Sequence, residues 1–309
     1  MRLAVAQLRR LPPNIQGALW LVSGGFIFTS NSAMIRLLST EIESVQTAFV
    51  RAFFSVVLLA PMILTGRVQP WKSERLQGHF WRTAMGTTSM VLGFYAVSML
   101  PLADATALAF SQPLFSVVLA ALVLREKVRW RRWSATIVGF IGVLVMVRPG
   151  SGSLQPGAAV ALLNALASAT SILLVRRLSD SEKPLMILTQ FALFSTLLLV
   201  APAIWFWKWP SAGGWALAIG VSISATIGQY FWVQAFAVGE MSAVAPFDYL
   251  RLPFAVFVGW MIWAEMPVIW TYVGAAIVIA SALYIAYRES QIVRERRAAE
   301  RVSSRPAAP

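Results

Sequence analysis

The chain has 309 residues, of which 58% are apolar and only 13% charged, against roughly 25% charged in soluble domains. The apolar residues arrive in blocks of about 20, the length a helix needs to cross roughly 30 Å of hydrocarbon, which excludes most soluble readings. With no cysteine and one histidine, disulfides, thiol catalysis and the usual zinc clusters are excluded too, while a formal charge of +13 leaves a nucleic-acid partner to be weighed.

The opening MRLAVAQLRRLPPN places Arg2, Arg9 and Arg10 ahead of an apolar stretch, as a signal peptide would. That stretch, from about 15 to 37, is too long for a signal peptide, and it is read as a retained first transmembrane helix. Further runs lie near 46–65, 79–99, 103–124, 133–148, 157–176, 184–207, 215–237, 242–263 and 268–287, ten spans in all. Lipid cannot hydrogen-bond a backbone, so such runs must be helices, and the fold class is an all-α integral membrane protein.

Lys and Arg are retained on the cytoplasmic side. With the N-terminus inside, the inner segments hold most of the 26 basic residues, including Arg67, Lys72, Arg75 and Arg82, then Arg125, Lys127, Arg129, Arg131 and Arg132. The outer segments hold Arg148 and Lys208. Both termini are therefore expected in the cytoplasm and the protein in the cell inner membrane, a reading that explains the basic charge without nucleic acid. The tail 289–309, rich in Arg, Ala, Ser and Pro, is expected to be disordered and to lie at the anionic inner leaflet.

Two stretches repeat. LPLADATALAFSQPLFSVVLAALVLREKVRWRRW (100–133) and VGEMSAVAPFDYLRLPFAVFVGWMIWAEMPVIW (238–270) share small residues opening a helix, an aromatic and proline pair in mid-run, and a closing Glu, Glu126 or Glu265. A five-helix unit is odd, so its second copy must be upside down. The charges agree: a basic cluster follows Glu126 and none follows Glu265. Ten transmembrane helices as two inverted five-helix repeats, 14–149 and 157–288, are a recurrent transporter architecture.

The residues AFVRAFFSVVLLAP in the second span, GFYAVSMLPLADATALAFSQPLFSVVLAALVLREKVRWRRWSATIVGFIGVLVMVRPG through the fourth and fifth, and AVAPFDYLRLPFAVFVGWMIWAE in the ninth carry a resemblance. The chain is similar to the drug/metabolite transporter superfamily, specifically its ten-helix EamA-type members. That family includes bacterial importers of S-adenosylmethionine and of riboflavin and exporters of amino acids. The resemblance implies secondary transport through a cavity between the two halves, and no direction.

Within the spans, Arg251 lies near mid-bilayer, where a charge costs at least about 2.5–3.5 kcal/mol. Asp248 is three residues earlier, on the same helical face. The two are read either as a self-neutralising structural pair or as a pair that opens to a charged or zwitterionic substrate or a proton. Pro246 and Pro253 flank them and break the helix. Tyr249 lies between them, and Gln112 and Gln229 are candidate cavity donors, placed by the resemblance in cavity-lining helices. Arg51 is matched by Arg in family members, and is read as snorkelling outward or pairing with Glu41 or Glu43.

Arg36 is read as snorkelling, Asp104 as an N-cap or dipole partner of the fourth helix, and Glu126 and Glu265 as structural. His79, beside Arg82, is weighed as a surface residue against a proton relay, with the surface reading favoured. Several of the thirteen tryptophans, Trp207, Trp209 and Trp215 among them, fall at expected interfaces. No phosphate-binding loop, nucleophile elbow or metal-ligand spacing is present. The expected activity is alternating-access transport of a small polar metabolite. Its partners are that metabolite and the bilayer, with no nucleic acid, no cofactor and no metal, and a homodimer is left open. A lipid-modifying membrane enzyme and a non-transporting scaffold stand as alternatives.

Overall fold

The computed structural model describes residues 12–73, 75–123, 125, 130–148, 156–178, 181–182, 184–238 and 244–303, and the regular structure among them is entirely helical. Three continuous helices, α1 (Pro13–Leu38), α2 (Ser44–Leu64) and α3 (Leu76–Met99), precede a fourth crossing in two pieces, α4 (Leu102–Ala109) and α5 (Gln112–Leu122). Then come α6 (Trp130–Val147), α7 (Pro156–Leu178), α8 (Pro184–Trp205) and α9 (Ala212–Val238). The ninth crossing is a 3-10 turn, Ala245–Leu250, running into α10 (Arg251–Trp263), and α11 (Ile269–Ser303) is the tenth.

These elements occupy the ten expected spans to within a few residues. Pro13, Pro156 and Pro184 open their helices, where a missing backbone N–H leaves no bond unmade. Pro113 in the first turn of α5 and Pro246 in the first turn of the 3-10 segment accompany the two breaks. The sequence-predicted interruption at Pro246 is therefore present, and the first half carries one of its own at Phe110–Ser111.

Packing shows how the halves fit. The most extensive contacts join α1 to α9 and α3 to α7, so the first helix of each half lies along the third helix of the other. Two further pairings, α6 with α11 and α2 with α8, join equivalent helices. Lesser contacts follow the same exchange: α2–α9 mirrors α3–α8, and α5–α7 mirrors α10–α1. The polar ties reverse ends accordingly. Residues at the 39–43 connection meet the 206–211 connection through Glu41 and Ser211, whereas the 65–75 connection meets 179–183 through Ser73 and Glu182. The second half is inverted relative to the first.

Around this frame the bundle turns apolar side chains outward. On α6, Ile137, Ile141 and Leu144, at helical spacing, are 57%, 50% and 55% exposed, a lipid-facing stripe. Inside, Leu108, Phe110 and Leu114 join Leu252 and Val278 in one core that ties the fourth crossing to the ninth and tenth.

Three sequence expectations change. Arg36 does not snorkel: its Nη1 and Nη2 donate to both Glu265 carboxylate oxygens at 2.6 and 2.5 Å, and its guanidinium lies 4.4 Å from the Trp263 ring centroid. A bidentate partner across the bundle holds the charge that a lone arginine would carry to water. Of the two readings of Asp104, the N-cap falls, because α4 begins at Leu102 behind Pro101, while its place in the first turn fits the dipole partner; it also accepts a hydrogen bond from Thr271 Oγ1 at 2.7 Å. Third, α11 continues as helix to Ser303, through much of the tail expected to be disordered, where Arg, Glu and Ala are good helix formers. Glu126 lies outside the described residues.

Where α6 crosses α11, glycines let the backbones touch. A Cβ on Gly142 would stand 2.9 Å from the Gly274 carbonyl oxygen, and one on Gly274 would stand 2.5 Å from that of Gly142. Without a water-driven hydrophobic effect, such small-residue contacts hold membrane helices together. Gly142→Leu and Gly274→Leu are each expected to lower the melting temperature of the detergent-solubilised protein, by overpacking of about 1–3 kcal/mol; an unchanged melting temperature would show that the crossing is loose.

Candidate functional site

The ninth crossing changes from 3-10 to α-helix between Leu250 and Arg251. Asp248 lies in the 3-10 turn and Arg251 opens α10, three residues on. Arg251 Nη1 stands 3.9 Å from Asp248 Oδ2, and the side chains are 31% and 30% exposed. That separation is an ion pair without a hydrogen bond. Asp248 Oδ1 and Arg251 Nε are buried and, among the described residues, have no hydrogen-bond partner. In a low-dielectric setting each orphaned polar atom is costly, so the pair is loose where a purely structural pair would be tight.

The pair has an aromatic and glycine surround. The Arg251 guanidinium carbon lies 5.4 Å from the Phe28 ring centroid on α1. A Cβ on Gly25, also on α1, would meet Arg251 Cγ at 2.9 Å, so glycine at this position lets the arginine lie against the helix. Phe254 meets Phe26 edge to face, with centroids 5.6 Å apart. Tyr249 meets Phe110 edge to face at 4.9 Å, which joins the break in the ninth crossing to the break in the fourth.

The other expected site residues stand apart. Gln112 donates from its amide to Ser116 Oγ, 3.1 Å away on its own helix. Gln229 is exposed on α9, next to Gly228, which packs on Phe28. Among the described residues no hydrogen bond or ion pair links either, or Arg51, to Asp248 or Arg251. Arg51 neither pairs with Glu41 nor with Glu43: those carboxylates are engaged by Ser211 and Lys208. Its guanidinium carbon instead lies 5.9 Å from the Phe94 ring centroid, because α2 turns it toward α3.

Phe28 and Gly25, which the sequence reading did not single out, belong to the site. A glycine pair, Gly24–Gly25, one turn before a polar run in an apolar helix was the available signal. An apolar hollow of about 240 Å³ lined by Phe49, Phe53, Phe54, Trp207 and Trp215 offers no polar group, and it reads as part of the interfacial aromatic belt.

Within the described residues no group of three or more His, Asp or Glu side chains is arranged to hold a metal. The site therefore offers one cation and one anion, each short of a partner, facing aromatic rings. It can bind and orient an ionic solute, and it assembles no acid, base and nucleophile.

Comparison with known proteins follows the same lines. The EamA-like transporter family matches the chain twice, over residues 15–148 and 155–287. Relatives include an S-adenosylmethionine uptake transporter of Rickettsia prowazekii, 29% identical over 90% of this chain and 94% of that protein. A riboflavin transporter of Vibrio cholerae is 28% identical over 92% of this chain and 97% of its own length. A pseudopaline exporter of Pseudomonas aeruginosa is 27% identical over 86% and 94%. A crystal structure superposes with a TM-score of 0.59 over 89% of this chain and 98% of that one; at 18% identity the likeness is one of fold.

Gly25→Val is expected to push Arg251 off α1 and to weaken ligand binding as severely as loss of the charge, while Gly17→Val, elsewhere on α1, does not. Ligand-induced thermal stabilisation measures both, and unchanged binding in Gly25→Val would detach the glycine from the site.

Proposed function

The chain belongs to the EamA-like transporter family, and from that premise we propose that this multi-pass membrane transporter moves a small charged or zwitterionic metabolite by alternating access, with Asp248 and Arg251 at the binding site. The observation that carries the reading is the pair at a helix break: Asp248 Oδ1 and Arg251 Nε are buried and, among the described residues, have no hydrogen-bond partner. A solute with an ammonium and a carboxylate supplies both missing partners, and Phe28 and Tyr249 face its less polar portion. S-adenosylmethionine, the cargo named for the rickettsial relatives, carries such an amino-acid group. Because binding supplies partners that the loose pair lacks among the described residues, the occupied state is the one in which the site closes.

The two repeats, 14–149 and 157–288, are the bodies that rock, pivoting on the equivalent-helix pairs α6–α11 and α2–α8. The connections 65–75, 123–129 and 179–183 and both termini face the cytoplasm of the cell inner membrane, since basic residues concentrate there, and the alternation of spans puts 239–243 on the same side.

Thermal unfolding of purified protein against S-adenosylmethionine, riboflavin and amino acids tests the reading, since a ligand at about 100 times its dissociation constant stabilises by about 2.7 kcal/mol. A zwitterionic compound is expected to stabilise the wild type, and Arg251→Ala and Asp248→Asn are expected to abolish the response while still folding. A wild-type response in Arg251→Ala would remove the pair from the site.

A further inference from the structure

The two ends of the bundle are closed by the same device. In each, a carboxylate from the first connection of one half accepts a hydrogen bond from a serine just before the third helix of the other: Ser211 Oγ to Glu41 at 3.0 Å at one end, Ser73 Oγ to Glu182 at 2.6 Å at the opposite end. A glutamine on the second helix of each half adds a tie to the facing connection, Gln46 Nε2 to the Lys208 carbonyl at 2.7 Å and Gln190 Nε2 to the Pro70 carbonyl at 2.6 Å. Each device spans the two halves, so each must break when its end opens.

The devices differ in one residue. His79, the chain's only histidine, lies on α3 against the Ser73–Glu182 clamp; the Glu41–Ser211 clamp has no imidazole. His79 is fully buried, contrary to the surface position favoured from the sequence. Its Nε2 is 3.6 Å from Glu182 Oε1, and among the described residues neither ring nitrogen makes a hydrogen bond. The neighbouring charges are Glu182 and Arg82, one turn along α3, while Arg75 at the head of α3 donates to the Arg177 carbonyl on α7. Arg82 is itself wedged over the Phe191 ring of α8 at 3.9 Å, with Nε and Nη1 buried and, among the described residues, without a hydrogen-bond partner; α8 contributes no charged residue. The side chains of Glu74, Arg176, Asp180 and Lys183 lie outside the described residues.

This pocket fits a neutral imidazole. A proton on His79 would bury a second cation beside Arg82, at a desolvation cost of several kcal/mol. Among the described residues the carboxylate at hand, Glu182, is already accepting from Ser73, and a single shared carboxylate does not offset that cost. Opening the clamp delivers the imidazolium to water.

We propose that His79 is a proton-binding site that makes the Ser73–Glu182 clamp acid-labile, so that proton uptake opens this end of the transporter while the Glu41–Ser211 end does not respond. That this end is cytoplasmic rests on the orientation proposed above; the opening itself does not.

The chain has no cysteine, so spin labels can be attached to introduced cysteine pairs in full-length protein reconstituted in vesicles. The pair Lys72→Cys and Ser181→Cys reports the His79 end, and Thr40→Cys and Ala212→Cys the other. Between about pH 8 and about pH 5, pulsed electron resonance is expected to show the first pair moving to longer distances. The open-to-closed ratio should rise by up to about tenfold per pH unit, the limit for one proton, with no change at the second pair. His79→Gln and, as a second variant, His79→Asn should remove the response, and Glu182→Gln should keep it. A flat wild-type profile, an equal response at both ends, or an acid response that survives His79→Gln and His79→Asn would overturn the proposal. Labelling of the same single cysteines by membrane-impermeant reagents from either side tests the orientation separately.

Discussion

A bilayer interior offers a peptide backbone no hydrogen-bonding partner, so a chain can leave regular helix there only where other protein covers the interruption. The two interruptions described here, at Phe110–Ser111 and at Ala245–Leu250, obey that constraint by lying against each other, and Phe110 meets Tyr249 across the gap. Everything polar that the site offers follows from this arrangement. The 3-10 turn places Asp248 and Arg251 three residues apart on one face, and Gly25 of α1 lets the arginine lie against the helix. The surrounding apolar core keeps water from satisfying the pair.

The exchange of helices between halves has a mechanical meaning. Because α1 lies along α9 and α3 along α7, neither half is a free-standing bundle; each contributes its first helix to the other's wall. The alternating access proposed above would shear these long contacts, with the glycine crossing of α6 and α11 as the fixed point. The Arg36–Glu265 and Asp104–Thr271 ties sit at the same end as the Glu41–Ser211 clamp.

The helices were legible because hydropathy in a membrane chain is an almost direct record of the solvent, and the inversion was legible because charge marks the two faces. Asp248 and Arg251 were legible as a pair because three residues on a helix is a short, local relation. Partners that meet through the fold were not. Arg36 and Glu265 are 229 residues apart, and nothing in either neighbourhood names the other. Gln112 spends one amide N–H on a serine one turn along its own helix, a local competition that an inventory of polar residues overlooks. His79 looked superficial because it stands at the start of a span, but it is buried, with Glu182 of the other half 3.6 Å from its Nε2.

The charged pair belongs to one half alone. When the breaks are aligned on Pro113 and Pro253, Leu108 and Ser111 occupy the places of Asp248 and Arg251. A duplicated unit has thus divided its labour, one copy presenting ions and the other a greasy, hydroxyl-dotted wall. A change of cargo charge can arise by mutation in the second copy without disturbing the first. Changes in the bulk of the cargo can be absorbed in the first copy, where no ionic geometry constrains the side chains. For the binding site proposed above, such a partition gives evolution two nearly independent dials, a physical route by which one scaffold can acquire cargoes of different charge and size.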